Sequence, residues 1–214
     1  TFLGGNIYGG DIFLVKYNSS GTKQWTKQLG TSSTDRGRAV SVDSADNIYV
    51  TGETHSSNAG NPGLDGNTSE GGNDIFLVKY NSSGTKQWTK QLGTSLQDVG
   101  QGVTADSAGN IYVTGYTSGS LDGNSNAGSN DIFLVKYNSS GTKQWTKQFG
   151  SSSSDVGYGV TADYAGNSFV TGYTTGSLHG NSNAGGADIF LAKYNSSGIN
   201  SADADEEHDE STVY

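Results

Sequence analysis

The phrase Asp-Ile-Phe-Leu-x-Lys-Tyr-Asn-Ser-Ser-Gly occurs four times, beginning at Asp11, Asp74, Asp131 and Asp188. The copies are separated by 63, 57 and 57 residues. A fixed period of that size requires an array of one supersecondary unit, in which each copy buries its apolar faces against its neighbours. No residue can be interpreted before its counterparts in the other copies.

The period from Asp74 to Asn130 reads as four strands. Asp74 to Tyr80 is apolar on both faces, with Ile75 and Leu77 on one side and Phe76, Val78 and Tyr80 on the other, so it is expected to be covered twice. Asn81-Ser-Ser-Gly84 supplies residues that tolerate positive φ and predicts a turn. Lys86 to Leu92 alternates, with Trp88 and Leu92 opposite Gln87, Thr89 and Gln91, which predicts a half-exposed outer strand. Gly102 to Asp106 and Ile111 to Tyr116 give a third and fourth strand around the turn Ser107-Ala-Gly-Asn110. A polar loop from Ser118 to Asn130 then leads to the next copy. Four short strands per period and no helical pattern predict an all-β fold, a β-propeller of four-stranded blades.

Composition agrees. Glycine contributes 33 of 214 residues and proline one, the profile of short strands and tight turns. No run approaches the roughly 20 apolar residues that a membrane helix needs. The net charge of −9 is uneven, because six acids fall between Asp203 and Glu210 and leave the body near −3. Its lysines recur along the repeat without forming a basic patch, which argues against nucleic acid as a partner. With no cysteine, disulfides and thiolate chemistry are excluded. Neither an initiator Met nor a signal-peptide pattern is present, so the chain reads as a mature or excised piece.

The pairing of Asp-Ile-Phe-Leu-Val-Lys-Tyr-Asn-Ser-Ser-Gly with Gly-Val-Thr-Ala-Asp-Ser-Ala-Gly-Asn-Ile-Tyr-Val-Thr-Gly-Tyr resembles the bacterial SBBP-type β-propeller repeat over nearly all of residues 6–198. The resemblance implies an extracellular or cell-surface scaffold or binding role, in a family most of whose members have no defined activity.

The array, residues 1–198, is cut at both ends. It runs as a first and second strand, two complete quartets, a third and fourth strand, and a lone first strand at Asp188–Tyr194, about three blades in all. Asn6-Ile-Tyr8 copies the start of Asn110-Ile-Tyr112 before the phrase at Asp11 interrupts it. Residues 199–214 form an acidic tail expected to be disordered. Propellers close with about 4–8 blades, so an open wedge would expose apolar blade faces. Three outcomes follow: a fragment of a longer ring, an open array, or a homo-oligomer. The favoured oligomer is a head-to-tail dimer of about six blades.

Two sets of residues are candidate sites. Asp35, Asp98 and Asp155 recur before x-Gly, and read either as a ring of ligand-binding carboxylates at one mouth or as turn residues that satisfy backbone N–H groups. Asp65 and Asp122 open polar loops, and Asp122, Asn124 and Asn126 space oxygens at alternate positions, like the start of a calcium loop. Against calcium, Ala127 stands where such loops want glycine, Phe133 where they want glutamate, and His179 where the third copy should carry its leading aspartate. Asp43, Asp106 and Asp163 precede hairpin turns and read as turn residues. Arg36, Arg38, His55 and His179 are the departures from the repeat, the arginines offering an anion contact at the mouth. Trp25, Trp88 and Trp145, with Tyr17, Tyr80 and Tyr137, read either as a ledge for sugars or as packing between blades. The Asn-Ser-Ser sequons at Asn18, Asn81, Asn138 and Asn195 read as turns, and His208 lies in the tail without a metal geometry around it.

These readings converge on a non-enzymatic scaffold or multivalent binding platform, with a glycan or protein as ligand. The alternative is a calcium- or carbohydrate-binding propeller. A hydrolase or lyase would need a paired acid and base that the repeat does not offer.

Overall fold

A computed structural model describes residues 9–56 and 59–201. Its thirteen strands are β1 (Ile12–Tyr17), β2 (Lys23–Leu29), β3 (Asp35–Val42), β4 (Ile48–Ser56), β5 (Gly72–Tyr80), β6 (Lys86–Leu92), β7 (Asp98–Ala105), β8 (Ile111–Thr117), β9 (Asp131–Tyr137), β10 (Lys143–Phe149), β11 (Asp155–Ala162), β12 (Ser168–Thr174) and β13 (Asp188–Tyr194). They form four antiparallel meanders: β1–β2, β3–β4–β5–β6, β7–β8–β9–β10 and β11–β12–β13. Each strand lies beside its neighbour in sequence, as in a propeller blade.

Blade and repeat are out of phase. The unit from Asp74 to Asn130 spans two sheets, because the loop from Ser118 to Asn130 is a hairpin connection within one sheet, pairing Thr117 with Asp131. The short link from Gly93 to Gln97 is what crosses between sheets. Each blade therefore runs third, fourth, first, second strand. A periodic text carries no phase, so pairing alone decides where a blade begins. The third strand also starts at Asp98 rather than Gly102, since a register shift between Gly100 and Gly102 lets Asp98 to Gly100 join the ladder.

Strands β3, β7 and β11 are innermost; β7 packs against both β3 and β11 and lies across β4 and β5 as well. The lysine-rich strands β6 and β10 are outermost and half exposed. On the central strand of each blade, Ile and Leu face the following blade while Phe, Val and Tyr face the preceding one. Ile75 and Leu77 thus share a core with Val103, Val113, Phe133 and Val135. Ile132 and Leu134 do the same with Val170, Ala192 and Tyr194. Ile12 packs with Ile48, Val50, Phe76 and Val78. Full burial of such a side chain contributes roughly 1.5–3 kcal/mol, so the junctions between blades hold the array together.

The turns are built as their residues predict. Asn81 Oδ1 accepts from the Thr85 N–H at 2.8 Å, and Gly84 adopts φ 76°. Asp106 Oδ1 accepts from the N–H groups of Ala108 and Asn110, both within 2.9 Å. The sequon asparagines at 18, 81, 138 and 195 are all held in such turns. Beyond Gly198 the polypeptide stays attached, with Asn200 bridging to Tyr194 and the Ser201 N–H donating to the Lys193 carbonyl. The repeat echo at Asn6–Tyr8 and residues 202–214 lie outside the described residues.

Candidate functional site

Asp35, Asp98 and Asp155 are each the first residue of an innermost strand, and all three are buried (2%, 0% and 0% exposed). Asp98 accepts from the Thr94 N–H at 2.6 Å and the Thr94 hydroxyl at 2.9 Å, closing the crossing loop. Its other oxygen accepts from Thr117 Oγ1 on β8. Asp35 does the same with Thr31 at 2.6 and 3.0 Å and with Thr54, and Asp155 with Ser151 at 2.5 and 2.9 Å. These carboxylates fasten loop to strand. They do not form an open ring for a ligand, because their oxygens face protein donors and burial removes them from solvent.

A second set escapes sequence reasoning. Asp74 and Asp131, which begin the recurring phrase, are fully buried beside the first set. Asp74 Oδ2 accepts from Gln91 Nε2 at 2.6 Å, and Gln91 Oε1 accepts from the Leu64 N–H at 2.9 Å. Gln148 links Asp131 to Leu121 in the same way, at 3.0 and 2.8 Å. The side-chain amide thus ties the outer strand to the loop. Burial pushes the carboxyls of Asp74 and Asp98 above the ordinary aspartate range, and Asp74 adds repulsion to Asp98. A glycine is required where the two sets meet, since a Cβ on Gly150 would lie 2.3 Å from Asp131 Oδ1 and 3.0 Å from Asp155 Oδ2. The joint recurrence of Asp and Gln was the available signal.

The calcium-like loops spend their oxygens on protein donors. Asp65 is paired with Lys86 and accepts from Thr89 Oγ1 at 2.5 Å. Asp122 is paired with Lys143 and accepts from Thr146 Oγ1 at 2.7 Å. Burial works to raise the Asp122 carboxyl, but those two donors outweigh it and hold the group below the usual range. Asn124 donates to the Leu121 carbonyl at 2.8 Å, and Asn126 Oδ1 accepts from the Gly128 N–H at 3.1 Å. Among the described residues, no group of three His, Cys, Asp or Glu side chains could hold a metal ion. Asp65, Asp122 and His179 share left-handed backbone, with φ of 57°, 56° and 48°. That conformation favours Asp, Asn and His, which explains a histidine where a hard-cation ligand was expected.

The tryptophans belong to the junctions. Trp88 packs 6.2 Å from the Tyr49 ring and Trp145 6.1 Å from that of Tyr112, centroid to centroid. The next blade's turn presses on each indole, so that a Cβ on Gly141 would lie 3.0 Å from Trp88. Tyr80 and Tyr137 are buried. Tyr17 is 59% exposed, and the three indoles are half-buried. His55 contacts Asn73 at 2.8 Å and His179 stacks 5.3 Å from Phe149, so neither is set beside a second acid or base.

Of the departures from the repeat, Arg36 and Arg38 meet in one place, apart from His55 and His179. Each innermost strand carries a bulge after its first glycine, and the extra residue is Arg38, Gln101 or Tyr158. A bulge re-aims the side chain it carries. Just before the bulges, paired with Arg36, Val99 and Val156, stand Glu53, Tyr116 and Tyr173 at matching positions of the second strand. Arg36 and Arg38 both donate to Glu53 Oε1 at 2.9 Å, while Glu53 is buried and its Oε2 has no hydrogen-bond partner. The Tyr158 and Tyr173 rings lie 5.8 Å apart. Burial raises the Tyr116 phenol; Glu53 adds to the shift and Arg38 opposes it, which places blades of different copies in one electrostatic neighbourhood. Two cations, one buried carboxylate and three phenols can bind an anionic or hydroxyl-rich ligand.

Open four-stranded meanders packed face to face around innermost strands define part of a β-propeller. The chain belongs to the SBBP β-propeller repeat family, whose profile matches residues 24–58, 87–122 and 144–179. It is 31% identical to an uncharacterised WD repeat-containing protein of Acanthamoeba polyphaga mimivirus, over 72% of this chain and 13% of that protein. It is 26% identical to the regulatory protein FlaEY of Caulobacter vibrioides, over 68% of this chain and 16% of the relative. The chain thus matches only a small part of the length of these relatives. A protein of unknown function from Bacteroides caccae superposes with a TM-score of 0.48 at 11% identity, covering 89% of this chain and 56% of its own. No helix among the described residues is long and apolar enough to cross a membrane.

Proposed function

We propose that the chain is a non-enzymatic propeller scaffold of a surface or secreted protein, and that it binds through the variable side chains on its innermost bulges. The observation that carries this reading is a division of labour. Most recurring Asp, Asn and Gln side chains serve loops and junctions, whereas Arg36, Arg38, Glu53 and Tyr158 break the repeat and cluster with Tyr116 and Tyr173, which recur. Selection for packing alone would keep copies alike; a ligand that spans several blades needs them to differ. Family membership supports the scaffold role, and the histidines set apart from each other support the absence of hydrolytic chemistry. The ligand class is an acidic glycan or an acidic peptide, matched to arginine forks beside aromatic faces. Calorimetric titration against acidic and neutral glycans and acidic peptides tests it. Binding is expected to weaken at least tenfold in Arg38→Ala and in Tyr158→Ala, with the melting temperature unchanged in Tyr158→Ala, whose ring is exposed. Affinity that ignores both substitutions, or silence across the panel, contradicts the site.

A further inference from the structure

The three innermost bulges differ in chemistry, and charge is confined to one of them. At β3 the bulge and its neighbours carry Arg36, Arg38 and Glu53, two guanidiniums against one carboxylate. Each guanidinium spends an N–H on Glu53 Oε1 and keeps the rest of its fork for another acceptor. The same positions hold Val99, Gln101 and Tyr116 at β7, and Val156, Tyr158 and Tyr173 at β11, with no Lys, Arg, Asp or Glu in either set.

The neutral groups at these bulges are uncommitted. Elsewhere Gln28, Gln91 and Gln148 give their amides to Asp11, Asp74 and Asp131, and Gln24, Gln87 and Gln144 give theirs to turn carbonyls. By contrast, the Gln101 amide and the hydroxyls of Tyr116, Tyr158 and Tyr173 have no hydrogen-bond partner among the described residues, and all four side chains are partly or wholly exposed. Amide and phenol each donate and accept, as a sugar hydroxyl does, whereas a guanidinium only donates. Burial holds the Tyr116 phenol above its ordinary range, so it keeps its proton at neutral pH and stays a donor. The rings of Tyr158 and Tyr173, 5.8 Å apart and tilted by 47°, add apolar faces on which the C–H side of a pyranose can pack.

We propose that the ligand is an oligosaccharide with a single acidic sugar, whose acidic group is held by Arg36 and Arg38 while its neutral sugars lie on Gln101, Tyr116 and the Tyr158–Tyr173 pair. This inference rests on the bulges being the binding site, and it selects the glycan over the peptide. An acidic peptide brings a negative charge with every acidic residue, and only the β3 bulge has cations to meet one. A second carboxylate would fall among phenols and near the buried Glu53, where repulsion and desolvation oppose it. One anionic group followed by hydroxyls matches the order of the three bulges. Tyr116 joins them, since its phenol feels Glu53 and Arg38 as well as Tyr158 and Tyr173.

Calorimetric titration of the full chain tests it, with tetrasaccharides that carry a single uronic acid on xylose and on glucose backbones, their neutral counterparts, and tetraglutamate. An acidic tetrasaccharide is expected to bind roughly tenfold tighter than its neutral counterpart and than tetraglutamate. Gln101→Ala, which removes an amide with no protein partner to lose, is expected to weaken the acidic and neutral sugars alike, by roughly fivefold, and so to keep the preference between them. Arg38→Gln keeps an N–H donor for Glu53 and is expected to erase that preference, with unchanged circular dichroism. Tetraglutamate binding tightest, and lost in Arg38→Gln, overturns the glycan assignment and leaves the bulge site standing. Sugar binding indifferent to Gln101→Ala overturns the alignment along the bulges. Silence of every probe overturns this inference together with the reading beneath it.

Discussion

Asp98 shows how one residue type can look functional and be structural. It stands two residues before the glycine that opens the bulge, recurs at the start of each innermost strand, and is sealed among Thr94 and Thr117. Truncating it leaves buried donors unsatisfied, so Asp98→Ala is expected to cost about 2–4 kcal/mol in urea denaturation. The pH dependence follows from the same burial. Asp74 and Asp98 titrate above the ordinary aspartate range when folded, so the native state holds protons that the unfolded chain has released. Their contribution is therefore greatest below the unfolded value, about 4, and declines as pH rises through the folded values. Asp43 and Asp122 act in the opposite sense: hydrogen bonds, and for Asp122 the Lys143 ammonium, outweigh burial and lower both, so their support is lost as pH falls below about 4. Denaturation midpoints are expected to hold or rise on acidification from pH 7 to about 5, then drop below about 4. A steady decline from neutrality would show that Asp74 and Asp98 are not raised. In the sequence, the recurrence of Asp35, Asp98 and Asp155 was legible and so was their turn alternative. Their burial was not, because it depends on which strand the neighbouring blade lays over them.

At the scale of elements, alternation and turn residues revealed the strands, including the outer position of Lys86–Leu92. What they could not reveal was which four strands share a sheet, since hydrogen bonding rather than text sets the phase. The bulges were equally silent: Gly-Gln-Gly and Gly-Tyr-Gly read as flexible spacers until the register shift at Gly100–Gly102 or Gly157–Gly159 is known. The central strands make a paired prediction from one motif. Ile132→Ala, in a sealed junction, is expected to lose roughly 2–5 kcal/mol, whereas Ile189→Ala stays within about 0.5 kcal/mol. Equal losses would mean that β13 is covered in the single chain.

At the scale of the whole molecule, the four-fold phrase made the array legible, and the abrupt ends were visible in the text. The calcium reading is tested at this scale too. With Asp65 and Asp122 neutralised by lysines, added calcium is expected to leave the melting temperature unchanged within error; a saturable rise would contradict the lysine pairing. Everything rests on the split between residues that repeat to hold blades and residues that differ to meet a ligand. Urea denaturation of Asp98→Ala beside Tyr158→Ala tests that split most directly. A large fall in midpoint is expected for Asp98→Ala and a change within about 0.5 kcal/mol for Tyr158→Ala, whose ring is exposed. A silent Asp98→Ala, or a Tyr158→Ala as damaging as it, would reverse the roles assigned to the two positions.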